Sequence, residues 1–243
     1  MKNNNIIIIG ANSDIAKEIS KKYLKNNCFL YLFTRNKKDL ENYESGIFLN
    51  DKIEIIEYDY SDVDYFIKKL ESLQNKPNIA LIANGYLGNN KIYSKDEFNK
   101  IFEINHFIPV KYSEVIISYF IKNNIKGILA VFASVAGLRG RSKNYIYGSA
   151  KSALITYLSG LRQKYSIYEI TITTIILGFV NTKMIKNEFK NSKSFLIDDP
   201  NKIANSIIKA VDKKKELYFP YKWKLIMLII NLIPKNIFKK LNF

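Results

Sequence analysis

The sequence predicts an α/β fold: a single doubly wound parallel sheet of about seven strands, flanked by helices. Three observations lead there. Short, wholly apolar runs recur along the chain, and amphipathic stretches of helical period separate them. The 243 residues, without an internal repeat, low-complexity segment or linker, suit one large domain. Apolar runs that do not alternate with polar residues are what strands become when helices cover both faces of a sheet.

Each element can be justified in order. The opening stretch NNNIIIIGANSDIAKEISKKYLKNN reads as a short strand, a tight turn at Gly10 and an amphipathic helix with Ile15, Ile19, Tyr23 and Leu24 on its inner stripe. CFLYLFTRN is a second strand and KIEIIEYDYSD a third, followed by a helix over residues 63–73. IALIANG is the fourth strand, and KDEFNKIFEINHFIPVKYSEVIISYFIKN a long helical stretch that contains Pro109. GILAVFAS is the fifth strand, with a helix over residues 147–165 behind it. EITITTIILG is the sixth, NKIANSIIKAVDKK a further helix and ELYFP a seventh strand.

Composition excludes several function classes. Hydrophobic residues make up 47% and aromatic residues 14% of the chain, enough to fill a core and exclude disorder. One cysteine, Cys28, excludes an intramolecular disulfide, and its place at the head of a strand predicts a buried, inert thiol. One histidine, His106, excludes a Ser-His-Asp triad, and with no cysteine cluster beside it no metal is expected. The formal charge of +16 invites a nucleic-acid reading. Eight lysines against the single acid Glu216 place +7 of it within residues 213–243, and the rest is thinly spread. With no aromatic-interleaved basic groove, nucleic acid is not expected as a partner. The apolar run before Gly10 is four residues long, too short for a secretory leader, so a cytoplasmic location is the expectation.

The chemistry concentrates in FASVAGLRGRSKNYIYGSAK, residues 132–151. Tyr147 and Lys151, four apart, stack on one helix face a turn from each other. An ammonium beside a phenol lowers the phenol pKa from about 10, which suits a tyrosine to proton exchange near neutral pH. Ser134 stands thirteen residues before Tyr147, at the end of the fifth strand.

At the other end, Gly10 follows a strand and opens a helix, so backbone N–H groups and the helix dipole can receive a pyrophosphate. The alternative is a plain capping turn with Ser13 as N-cap. The second strand ends FTRN, with Thr34 where an acid would bind a ribose 2′-hydroxyl and Arg35 next to it. A cation without a carboxylate suits a 2′-phosphate, hence NADP(H) over NAD(H); the alternative is a solvated arginine. Asp59 either accepts from the adenine amine or caps the next helix, and Gly85 lets backbone approach the cofactor.

In this order and spacing the motifs resemble the short-chain dehydrogenase/reductase family, which has a Rossmann-type fold. The likeness runs from IGANSDIA through YDYSD, ANG, EINHF, SVAG and YGSAK to LGFVNT, nearly the whole chain. It implies a catalytic set of Asn105, Ser134, Tyr147 and Lys151. Tyr147 would protonate a carbonyl oxygen as nicotinamide hydride attacks carbon, and Ser134 would hydrogen-bond that oxygen. Lys151 would bind the nicotinamide ribose and depress the tyrosine pKa, and Asn105 would hold a relay water. The resemblance also implies cofactor contacts from Gly10, Asn12, Ser13, Asp14 and Ile15, from Arg35, Asp59 and Tyr60, and from Asn84 and Gly85. Tyr147, Lys151, Gly178, Val180 and Thr182 complete that set, and a homo-oligomer is implied. Departures point to a subgroup: Asp14 and Ala16 replace two loop glycines, IANG stands for NNAG, and Leu177 for a proline. Together with the closing YFPYKWKLIMLIINLIPKNIFKKL, the motifs resemble bacterial reductases related to the decaprenylphosphoryl 2-keto-pentose reductase subunit, which serve surface-polysaccharide and lipid-linked sugar pathways.

The expected division is an NAD(P)-binding domain over residues 1–216 and a C-terminal amphipathic extension over 217–243. In that extension LIMLII, flanked by Tyr221, Trp223 and lysines and broken by Pro234, is far shorter than the ~20 residues that span a bilayer. It reads either as a peripheral anchor on the inner face of the membrane or as a helix packed over the substrate pocket or a subunit interface. Residues 183–196 are expected to form a lid on the substrate side. The resulting reading is an NAD(P)H-dependent reductase of a small-molecule or lipid-linked carbonyl, a keto-sugar first and a keto-lipid second. A non-catalytic cofactor-binding scaffold or regulator is the alternative of a different class.

Overall fold

The computed structural model describes residues 4–88, 94–185 and 195–241. Seven strands make one all-parallel sheet: β1 (Asn5–Ile9), β2 (Phe29–Thr34), β3 (Ile53–Glu57), β4 (Ile79–Ile82), β5 (Ile128–Ser134), β6 (Thr171–Leu177) and β7 (Leu217–Tyr218). Their spatial order is β3-β2-β1-β4-β5-β6-β7. The isoleucines of β1 show why apolar runs form this sheet. Side chains alternate across a strand, so Ile6 and Ile8 enter one core, under α1 (Asp14–Lys25) and α7 (Pro200–Asp212). Ile7 and Ile9 enter the other, under α3 (Val63–Ser72), α5 (Ile108–Lys122) and α6 (Tyr145–Lys164). Both faces are covered, so a polar residue is held there only with a partner: the buried Thr173 hydroxyl of β6 donates to the Lys215 carbonyl at 2.7 Å, and Thr174 Oγ1 accepts from Arg162 at 2.7 Å. Cys28, at the head of β2, is a buried thiol in no disulfide, and burial raises its pKa.

The strand order reverses between β1 and β4, and a crevice opens there at the carboxyl ends of the strands. Gly10 turns the chain into it with φ +77; a Cβ at this position would come 2.9 Å from the Asn84 nitrogen.

The structure departs from the sequence expectations at three places. β3 stops at Glu57, and Asp62, not Asp59, caps α3 by accepting from the Tyr65 N–H at 2.8 Å. The long helical stretch divides into α4 (Lys95–Phe102), a π-helical turn (Glu103–Phe107) and α5. Pro109 explains that turn: its ring lacks a donor for the Asn105 carbonyl four residues back and would crowd it, so the helix widens. A short α2 (Lys38–Glu41) follows β2, without an apolar stripe to announce it.

The last segment is packed into the fold. β7 pairs with β6 through Thr174↔Leu217 and Ile175↔Tyr218. After it, α8 (Tyr221–Leu232) buries Trp223 and Met227 against Ala133, Val135 and Ile176, and α9 (Lys235–Phe238) follows. Arg139, on the loop between β5 and α6, donates to the Asn231 and Ile233 carbonyls at 3.0 Å each. Its guanidinium stacks on Phe238, 4.3 Å from the ring centroid. Among the described residues no helix is long and apolar enough to cross a membrane.

Candidate active site

The crevice is a cavity of about 420 Å³. At its catalytic end, β5 delivers Ser134, whose Oγ accepts from the Ala136 N–H at 3.2 Å and opens the 3₁₀ turn Val135–Gly137. Two glycines let α6 press onto this turn. A Cβ at Gly137 would lie 2.8 Å from the Lys151 carbonyl carbon, and one at Gly148 2.8 Å from the Ala136 oxygen. That close approach brings Tyr147 and Lys151, both buried, to the cavity wall beside Ser134. Lys151 Nζ donates to the Phe132 carbonyl at 3.0 Å and the Asn84 carbonyl at 3.5 Å, and stands 6.0 Å from the Tyr147 ring centroid.

The electrostatics run against the expectation of a lysine-lowered phenol. Burial pushes Tyr147 up to about 12, while the Ser134 hydrogen bond and the charge of Arg141 pull it partway back. Burial also drives Lys151 down to about 7, so the ammonium meant to stabilise a phenolate is itself pressed toward neutrality. Desolvation is a tertiary property and outweighs the four-residue spacing. Arg141 was missed by the motif reading; its signal was a cation between Ser134 and Tyr147, in GLRGRS.

Asn105 sits in the π-turn, fully buried and behind the cavity wall. Its Nδ2 donates to the Tyr86 and Ile101 carbonyls at 2.7 and 2.8 Å, and its Oδ1 accepts from the Tyr86 N–H at 3.1 Å. With its amide committed to backbone, the side chain fastens the Gly85–Tyr86 segment instead of reaching into the cavity.

The other end is built from loops. Ser13 occupies the N-cap position of α1 but makes no side-chain cap bond, and with Asp14 and Ile15 it lines the cavity, leaving the helix N–H groups open to an anion. Asn12 Nδ2 donates to Thr34 Oγ1 at 2.7 Å and to the Asn36 carbonyl at 3.0 Å, tying the first loop to the end of β2. Arg35 lies in the same wall, its guanidinium 5.4 Å from the Tyr60 ring centroid. Asp39, overlooked in the sequence, shares that wall. Asp59 is exposed and outside the lining; its carboxylate accepts from the Ser61 N–H at 2.9 Å, and this bond holds its pKa low.

Asn84, Gly85, Gly178, Val180 and Thr182 complete the lining predicted from the motifs. Lys183, Met184 and Ile185 add to it, and the Lys183 N–H donates to Asp14 Oδ2 at 2.7 Å. Residues 186–194 of the expected lid lie outside the described residues. The lining fits a dinucleotide: Asn12 Oδ1 and Asn84 Oδ1 are buried there without a hydrogen-bond partner, and the absence of a Cβ at Gly10 and Gly85 lets the loops close on the Asn84 backbone and on Met184 to form the wall. The α1 N-terminus would hold the diphosphate and Lys151 a ribose hydroxyl.

A family model described as short chain dehydrogenase matches residues 4–193. An uncharacterized oxidoreductase of Mycobacterium tuberculosis is 22% identical over 250 residues, covering 97% of this chain and 96% of that protein. A solved short-chain dehydrogenase from Sphingobium yanoikuyae, in complex with NADPH, superposes with a TM-score of 0.80 at 15% identity, covering 96% of this chain and 97% of that one. A 4-hydroxyisoleucine dehydrogenase complexed with NADH superposes with a TM-score of 0.76 at 22% identity, covering 87% and 93%.

Proposed function

The chain belongs to the short-chain dehydrogenase family, and from that premise we propose that this NAD(P)-dependent oxidoreductase interconverts a ketone and an alcohol, using NADPH, on a keto-sugar or lipid-linked sugar. One observation carries the reading: Ser134, Tyr147 and Lys151 share one end of a cavity whose other end offers an uncapped helix N-terminus and Arg35.

Bound NAD(P)H supplies the hydride. Tyr147, with its pKa pushed up to about 12, keeps its proton at neutral pH and is loaded to donate to the developing alkoxide. Ser134 hydrogen-bonds the same oxygen, and Arg141 favours the phenolate left behind. Lys151, held by the Phe132 carbonyl and titrating at about 7, can return a proton toward Tyr147.

NADPH is favoured over NADH because Arg35 faces the cavity with no carboxylate within ion-pair distance among the described residues. Asp39 favours the second reading, since a carboxylate in that wall suits the ribose hydroxyls of NADH. Met184 and Ile185 put apolar side chains in the cavity wall, which suits a lipid-linked sugar and also a keto-lipid. Within this reading the protein is a cytoplasmic homo-oligomer, and residues 217–243 touch the inner face of the membrane.

The test is a turnover assay with NADPH against keto-sugars, polyprenyl-linked keto-sugars and 3-ketoacyl substrates, with Tyr147→Phe as control. Loss of about 10²–10⁴-fold in the control is expected for removal of the general acid. Cofactor binding without turnover of any carbonyl would instead favour a scaffold or regulator.

A further inference from the structure

Outside the reductase cavity the molecule carries a second groove, of about 520 Å³, between α7, β7 and the start of α8. Five lysines line it: Lys202, Lys209 and Lys213 from α7 and its end, then Lys215 and Lys222. Spacings of seven and four residues keep the first three on one face of the helix. Asp198 is the one acid in the lining, and it is taken by Lys222 at 2.8 Å. Among the described residues the other four lysines have no carboxylate within ion-pair distance. Ser206 and Tyr218 add hydroxyls to the same wall.

The groove continues into an apolar surface. Tyr221 lines its rim and begins a stripe on the outer face of α8, where Leu225, Leu228, Ile229 and Leu232 follow at helical spacing. These side chains are 44–75% exposed, and Ile237 prolongs the patch on α9. A helix apolar on both faces ordinarily has both covered; here Trp223 and Met227 cover only the inner one. Lys224, Lys235, Lys239 and Lys240 are exposed on α8, α9 and the residues after it, and residues 217–243 contain no acid.

We propose that this surface docks on an anionic bilayer: the α7–α8 groove takes phosphate-bearing lipid headgroups while the outer face of α8 and α9 enters the interface. A cationic groove edged by an exposed apolar helix is complementary to both layers of such a surface. A second copy of the chain fits less well, because apposed α8–α9 faces would bring lysines together with no acid among them. The site adjoins the reductase cavity, since Asp198 of the groove bridges to Val180 of the cavity wall. Docking therefore sets the cavity beside the headgroup layer. The inference deepens the membrane contact proposed for the tail and does not depend on which carbonyl is reduced.

Co-sedimentation of the full chain with vesicles tests it, using phosphatidylcholine alone and phosphatidylcholine with about 30% phosphatidylglycerol, a surface on which each lysine contributes roughly 1 kcal/mol. The expected result is binding to the anionic vesicles only. Lys209→Glu/Lys213→Glu and, separately, Leu228→Ser/Ile229→Ser should each reduce it by about tenfold or more. NADPH binding by the same samples checks that the variants are folded. Equal binding to neutral vesicles, or binding unchanged by the lysine pair, overturns the headgroup groove. No vesicle binding, with the Leu228/Ile229 variant dissociating an oligomer on a sizing column, overturns docking in favour of self-association. A chain that binds NADPH but no vesicle loses this inference and keeps the reductase reading.

Discussion

The indole of Trp223 occupies the space that a side chain would take at Gly178: a Cβ built there would overlap the Trp223 Nε1 and its ring carbons. Gly178 lines the cofactor cavity and Trp223 is the buried anchor of α8, so the tail and the dinucleotide site share one contact. Gly178→Ala should displace the indole and destabilise the chain by about 1–3 kcal/mol, the usual effect of overpacking. Trp223 is the sole tryptophan, so its emission reports the event directly. A red shift with weaker NADPH binding is expected; an unchanged spectrum would show that the contact yields without consequence.

Lys151 is the site's stored electrostatic strain. Burial lowers it to about 7 from an ordinary 10.5, so between those values the unfolded chain binds the extra proton. Stability must therefore rise as pH climbs from about 7 toward 10, and fall short of it below. Lys151→Met should flatten that rise and, near pH 7, lift the melting temperature by roughly 5 °C or more while abolishing turnover. Melting curves of both proteins from pH 7 to 9 check this. Parallel curves would show that the ammonium is solvated in the folded chain.

Arg35→Ala should erase the preference for NADPH. Loss of a charge-assisted contact to the 2′-phosphate predicts about tenfold or more weaker NADPH binding with NADH binding nearly unchanged. Calorimetry with the two cofactors measures it directly. Equal losses would assign Arg35 to the adenine side, and Asp39 would become the residue to replace.

Asp14 puts a carboxylate beside the helix N-terminus that would receive a diphosphate, and uses it to hold the Lys183 N–H. Asp14→Asn keeps an acceptor for that bond and removes the charge. Cofactor binding should tighten by about threefold to fivefold, the worth of one solvent-screened repulsion. Weaker binding would mean that the hold on Lys183 matters more than the repulsion.

The inner strands were legible because both their faces are buried, and burial on both faces leaves an apolar word in the sequence, whereas the edge strands β3 and β7 stay partly exposed. Tyr147, Lys151 and Ser134 were legible because helix period and strand ends set their spacing. What escaped depends on contacts between distant segments. The π-turn around Asn105 arises from Pro109 acting on the carbonyl four residues back, and hydropathy does not register it. Asp59 and Asp62 look alike in YDYSD, and only the end of β3 decides which one caps α3. The upward shift of Tyr147 comes from residues packed around it, Ile101, Ile146 and Phe98 among them, brought there from two helices.

Cys28 is the chain's lone thiol, sealed at the head of β2 under α1. A thiol reagent in solution therefore has nothing to modify until the sheet itself opens. Labelling kinetics would clock that opening from within the native sequence, with no probe introduced and no background to subtract. Repeated with NADPH present, the same clock would run slower by the factor that binding stabilises the closed sheet, turning a buried cysteine into a ligand-affinity gauge.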